Sequence, residues 1–107
     1  MAKVLIKASY NSEGIKGVVK EGGTGRVTAV EKMVADLGGH LDAFYFAFGD
    51  TDVYAIVDIP NAVTAAAVAA AIGAAGSMSK YETVTLLTPE EIDSAMKMAV
   101  NYRPPGK

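Results

Sequence analysis

The sequence predicts an α+β domain: a four-stranded antiparallel sheet built in the order β-α-β-β-α-β, helices on one face, and one more helix at the C-terminus. Three observations predict it. Apolar residues alternate at period two over residues 3–10, 41–48, 53–59 and 78–87. Apolar residues recur at helical spacing between the first and second of these runs and fill the gap between the third and fourth. Stop and start signals, Gly38-Gly39, Pro60-Asn61, Gly76-Ser77 and Thr88-Pro89, separate the segments.

The first strand, residues 3–10, carries Val4, Ile6, Ala8 and Tyr10 on one face and Lys7 and Ser9 on the other. Asn11 or Ser12 then caps a helix with Glu13 in its first turn, where a carboxylate favours the positive end of the helix dipole. Ile15, Val18 and Val19 give it a short apolar stripe. The run Gly22-Gly23-Thr24-Gly25 predicts a break, because glycine costs roughly 1 kcal/mol against alanine inside a helix. Thr24 is the expected cap of a second segment, in which Val27, Val30, Met33, Val34 and Leu37 recur at helical spacing. Gly38-Gly39 ends that segment.

Residues 41–60 form the most apolar hairpin of the chain, with a turn at Gly49-Asp50-Thr51-Asp52. Period two puts Leu41, Ala43, Tyr45 and Ala47 on one face and Phe44, Phe46 and Phe48 on the other. The return strand alternates Val53, Ala55, Val57 and Ile59 with Tyr54, Ile56 and Asp58. Asn61 caps a helix over residues 62–75, nearly all alanine and valine, that can approach the sheet closely. Residues 78–87 form the last strand. Thr88, Pro89 and Glu91 then make a strong helix start, with a hydroxyl cap, proline at the first helical position and a carboxylate three residues past the cap. This helix is expected to reach about residue 100, ahead of a loose tail over residues 100–107. The order is the split βαβ pattern of ferredoxin-like folds, and residues 1–107 read as one domain. Either face of the hairpin is apolar enough to need burial, so the sheet face away from the helices calls for a second copy of the chain, as a homodimer or higher homo-oligomer.

Composition bounds the partners. The net charge of −2 gives no concentrated basic footprint for nucleic acid. The absence of cysteine excludes disulfides, thiolate catalysis and cysteine-bound metals. The N-terminal apolar run is too short for a signal peptide. The longest apolar stretch, residues 65–75, falls well short of the ~20 residues that span a bilayer. The expectation is a cytoplasmic protein with neither a membrane nor a nucleic-acid partner.

The motifs Glu13-Gly14-x-Lys16-Gly17, Glu21-Gly22-Gly23-x-x-Arg26, Leu37-Gly38-Gly39-x-Leu41, Phe44-Tyr45-Phe46-Ala47-Phe48-Gly49-x-x-Asp52 and Leu87-Thr88-x-Glu90-Glu91 together resemble the GYD-domain proteins. This small bacterial and archaeal family is placed among the dimeric α/β-barrel proteins. The resemblance covers nearly the whole chain. It implies the fold and a partner copy, and it brings no established reaction and no cofactor. The Gly-Tyr-Asp run that names the family falls in the hairpin turn. This chain has Gly49-Asp50-Thr51-Asp52 there, without the tyrosine, and Asp52 stands at the aspartate position.

Ligand-binding candidates are Gly22, Gly23, Arg26, Tyr45, Phe46 and Asp52. The glycine segment opens a helix and offers free N–H groups to an anion, and Arg26 adds a bidentate donor. The competing explanation is a helix joint shaped by packing, with Arg26 paired to Glu21. The segment lacks a P-loop's Gly-Lys-Ser/Thr and, with Thr28 in place of a third glycine, a dinucleotide fingerprint. Asp52 is a general-base candidate if buried beside Tyr45 or Arg26, or more simply a turn residue bonding backbone. His40 alone cannot build a multi-histidine metal site, so no metal is expected and an exposed position is. The phenylalanine stripe suits a core, a dimer seam or an aromatic ligand pocket. Base stacking is disfavoured, since residues 41–59 hold four aspartates and no lysine or arginine. The favoured function is small-molecule binding between sheet and helices or at a subunit interface. The alternatives are a cofactor-free enzyme of monooxygenase or isomerase type, pairing Arg26 or Tyr45 with Asp52, and a purely structural assembly unit.

Overall fold

The computed structural model describes residues 1–107. Its elements are β1 (Ala2–Tyr10), α1 (Ser12–Glu21), α2 (Gly23–Asp36), β2 (His40–Phe46), β3 (Val53–Ile59), α3 (Ala62–Ala75), β4 (Met78–Leu86) and α4 (Pro89–Met96). The strands form one antiparallel sheet in the order β2-β3-β1-β4. This is a ferredoxin-like α+β fold with an added C-terminal helix.

The faces of β1 and β3 follow from alternation. Val4 and Ala8 on β1 and Val53, Ala55, Val57 and Ile59 on β3 are buried. With Val34 of α2, Val4, Val57 and Ile59 make the central cluster, and Val30, Met33, Leu41 and Ala65 pack against it. The helix-facing set is therefore the one that contains Val57. The other face presents Lys3, Leu5 and Lys7 of β1, Tyr54, Ile56 and Asp58 of β3, and Glu82, Val84 and Leu86 of β4, placed side by side by the register.

β2 departs from simple alternation. Leu41 pairs with Val57, but Ala43 pairs with Ile56 and Phe44 with Ala55. The register shift around Asp42 is a bulge, and an extra residue exchanges the faces beyond it. Leu41 therefore shares the helix face with Phe44 and Phe46, instead of sharing the opposite face with Ala43 and Tyr45. The two phenylalanine rings meet edge to face, with centroids 5.3 Å apart. Phe48 lies beyond the strand and is fully exposed.

Two helix boundaries also differ from expectation. Gly22 joins α1 to α2 with φ +85°, a conformation that suits glycine. It is itself the N-cap of α2, so Thr24 lies inside the helix. α4 ends at Met96 and not near residue 100. Its apolar spacing continues through Met98 and Val100, but nothing packs there, and an unpacked short helix frays. Asn11 and Asn61 cap α1 and α3 as expected, and Thr88 with Glu91 forms a complete capping box on α4.

Candidate functional site

Small side chains create a cleft beneath the helices. Ala8 and Ala55 on the sheet face Ala71 and Ala75 on α3, and the missing volume leaves about 260 Å³ between sheet, α2 and α3. Phe44, Met33, Ile72 and Met78 supply apolar walls. The polar side chains are few: Arg26 from the second turn of α2, Tyr10 from the end of β1, Tyr81 from β4, and Ser77 just ahead of β4. An apolar pocket with a few convergent polar groups is the usual form of a small-ligand site.

Tyr10 also borders two neighbouring hollows. One, of about 420 Å³, lies between α1 and the β2 end and includes Gly23, Phe46 and Asp52. The other, of about 450 Å³, lies along α1 and includes Glu21 and Arg26. Burial holds the Tyr10 phenol above its ordinary pKa. Arg26 pulls it back, while Glu21 and Asp52 push it further up. Burial likewise raises Tyr81, with Thr83 opposing. Both phenols therefore stay protonated at neutral pH, ready to donate.

The predicted residues divide clearly. Gly23 lies against Phe46: a Cβ there would come within 3.2 Å of the ring. Packing thus explains this glycine. Arg26 pairs with Glu21 at 3.4 Å. Gly22 forms the helix joint. Asp52 Oδ2 accepts the Tyr10 N–H at 3.0 Å, its own N–H donates to the Ala8 carbonyl, and its carbonyl accepts from Ala47. Its backbone-bonding role ties the loop to β1, across the sheet, as well as to its own hairpin. Gly23, Phe46 and Asp52 share one hollow with Tyr10, and Arg26 stands in the next. Tyr45 does not join them. It pairs with Tyr54 on the opposite face and is 70% exposed. Tyr10 and Tyr81 were not singled out from the sequence. Tyr10's place at the end of the buried alternation of β1 was the available signal.

A second polar cluster lies on the helix-free face. Lys3, Asp58 and His40 are cross-strand neighbours on three adjacent strands, and the bulge adds Asp42. Lys3 Nζ bonds both Asp42 and Asp58, the latter at 3.0 Å, and His40 Nε2 lies 2.6 Å from Asp42 Oδ1. One ligand atom from each of His40, Asp42 and Asp58 falls within 4.8 Å of the others, a spacing compatible with a divalent cation. Here the Lys3 ammonium supplies the positive charge between the carboxylates. Its hydrogen bond is the main cause holding Asp42 below its ordinary pKa of 3.8, and Asp42 is the main cause raising Lys3 above 10.5. A depressed carboxylate stabilises the fold above its unfolded pKa, and that contribution disappears as pH falls through the folded value. Urea midpoints should therefore fall on acidification below about pH 4, and Asp42→Asn should flatten that part of the profile. The pair is on the surface, so salt should shrink the effect.

Residues 5–96 match the family described as GYD domain. The chain belongs to the GYD domain family. No curated protein and no solved structure is significantly similar to it. In this GYD domain the turn after β2 does structural work. Thr51 is buried, Asp52 bonds the backbone of β1, and the Asp50 carbonyl accepts from the Ser9 hydroxyl at 3.0 Å. No helix is long and apolar enough to cross a membrane.

Proposed function

We propose that this GYD domain binds a small, mostly apolar ligand with an anionic or hydrogen-bond-accepting group in the cleft between the sheet and α2 and α3. One observation carries the reading: walls of alanine, methionine and aromatic side chains enclose the cleft, and its only full positive charge is Arg26. The apolar body of a ligand would replace water against Ala55, Phe44 and Met78. Its acceptor would lie toward Arg26 and the protonated Tyr10 hydroxyl. Binding is favoured over catalysis because the Asp52 carboxylate already accepts a backbone hydrogen bond. A homodimer closed through the helix-free sheet face accompanies this reading, since Leu5, Ile56 and Val84 form an apolar band across that face.

Anilinonaphthalene sulfonate combines an aromatic body with an anion and suits a fluorescence titration. Arg26→Gln should weaken its binding about tenfold, the loss of one hydrogen bond to a charged group. Equal affinity in the wild type and Arg26→Gln would contradict the assignment.

A further inference from the structure

Arg26 reaches two spaces at once. With Tyr10 and Ser77 it borders both the cleft and the hollow along α1, whereas Glu21 borders only the hollow. The guanidinium thus stands at the boundary between the two, and Glu21 holds it from the outer side. The pair is loose. Arg26 Nη1 and Glu21 Oε1 are 3.4 Å apart and both side chains are 36% exposed, against roughly 2.7–2.9 Å for a charge-assisted hydrogen bond. An ion pair so open to water contributes little stability.

Glu21 serves α1 poorly. It is the last residue of that helix, where the negative end of the dipole opposes a carboxylate. Its surroundings favour the contact with Arg26 instead. The joint at Gly22 turns the chain between them. A Cβ at Gly25 would come within 3.0 Å of Glu21 Cγ, so glycine there leaves room for the Glu21 stem. Both charges also reach the Tyr10 phenol. Beyond the dominant effect of burial, Arg26 lowers its pKa and Glu21 raises it.

We infer, resting on the cleft binding proposed above, that Glu21 is a resident competitor for Arg26 and that the ligand of the cleft carries a carboxylate that displaces it. Carboxylate then replaces carboxylate. The 3.4 Å pair gives way to a bidentate one, in which the planar guanidinium matches both oxygens of the ligand. The new pair lies against apolar walls, where charges attract more strongly than in water. The released Glu21 side chain has the hollow of about 450 Å³ to enter. A neutral acceptor neither displaces Glu21 nor pairs with the charge, so removing Glu21 matters to acids alone.

Naphthoic acid and naphthamide share a shape and differ in charge, and isothermal titration calorimetry measures the affinity of each. Glu21→Gln should tighten the acid about two- to fivefold, the value of an exposed ion pair, and leave the amide unchanged. Glu31→Gln removes the same charge from an exposed position on α2 and should change neither. Arg26→Gln should weaken the acid about tenfold and abolish the gain from Glu21→Gln in the double variant. Unchanged acid affinity in Glu21→Gln, with Arg26→Gln still weakening it, would overturn the inference and leave the cleft reading standing. Equal tightening by Glu31→Gln would overturn it as well, by reducing the effect to net charge. No binding of the acid to the wild type, or no effect of Arg26→Gln, would overturn the cleft reading and this inference together.

Discussion

Gly39→Ala should lower the melting temperature by roughly 12 °C, and Gly14→Ala by a similar amount. A Cβ at Gly39 would overlap the Asp58 carbonyl oxygen and also press on Val34 of the core. A Cβ at Gly14 would overlap the Ser77 carbonyl oxygen and come within 2.8 Å of the Tyr10 ring. Backbone carbonyls cannot swing aside as a side-chain end can. The upper part of the overpacking range, about 3 kcal/mol, is therefore expected, and each ~1 kcal/mol moves a domain of this size by about 4 °C or more. Gly17 provides the control. It lies in α1 with open space around it, so Gly17→Ala should stabilise by about 0.5–1 kcal/mol through helix propensity alone. Differential scanning calorimetry of the three variants checks the sign and the size together. Gly14→Ala should also weaken ligand binding, because Tyr10 borders the cleft.

Ile56→Asp should raise the dissociation constant of the proposed sheet-to-sheet dimer at least about a hundredfold, read by sedimentation at several concentrations. Ile56 sits mid-face, paired with Leu5 on one side and Ala43 on the other. Burying one isoleucine is worth about 1.5–3 kcal/mol. A two-fold axis applies the loss twice and sets the two new carboxylates near each other. Tyr45→Ala, at the rim, should have a smaller effect. A chain that stays monomeric at micromolar concentration would remove the sheet-to-sheet reading altogether.

Local features were legible in the sequence, and relations between distant segments were less so. Thr88, Pro89 and Glu91 act within one turn, and the structure contains the capping box they spell. The alternation of β1 and β3 predicted the two faces of each strand, but the helix-facing set emerged only where Val34 packs on Val57. In β2 the same alternation misled. The bulge around Asp42 depends on pairing with β3, so the strand's own residues give no warning that Leu41 joins the phenylalanines. The row Lys3, Asp58, His40 has the same origin, since those residues meet only once the register is known. Of the residues chosen by type, Arg26 borders the cleft and Phe46 lies in the neighbouring hollow, and Arg26 pairs with Glu21 as the simpler reading expected. Tyr10 was missed as a site residue because its importance comes from three hollows converging on it. Tyr45 was included because the sequence did not separate the sheet faces by function.

The most direct test of the proposed binding site is a map of where the probe binds. Backbone amide chemical shifts of the uniformly labelled protein, followed during titration with anilinonaphthalene sulfonate, locate it without assuming an activity. Ligand binding in the cleft predicts the largest, saturable changes at Arg26, Phe44, Val53, Ala55, Ala75 and Tyr81, and their loss in Arg26→Gln. Changes confined to the α2–α3 groove, to α4 or to the helix-free sheet face, with the cleft residues unmoved, would contradict it.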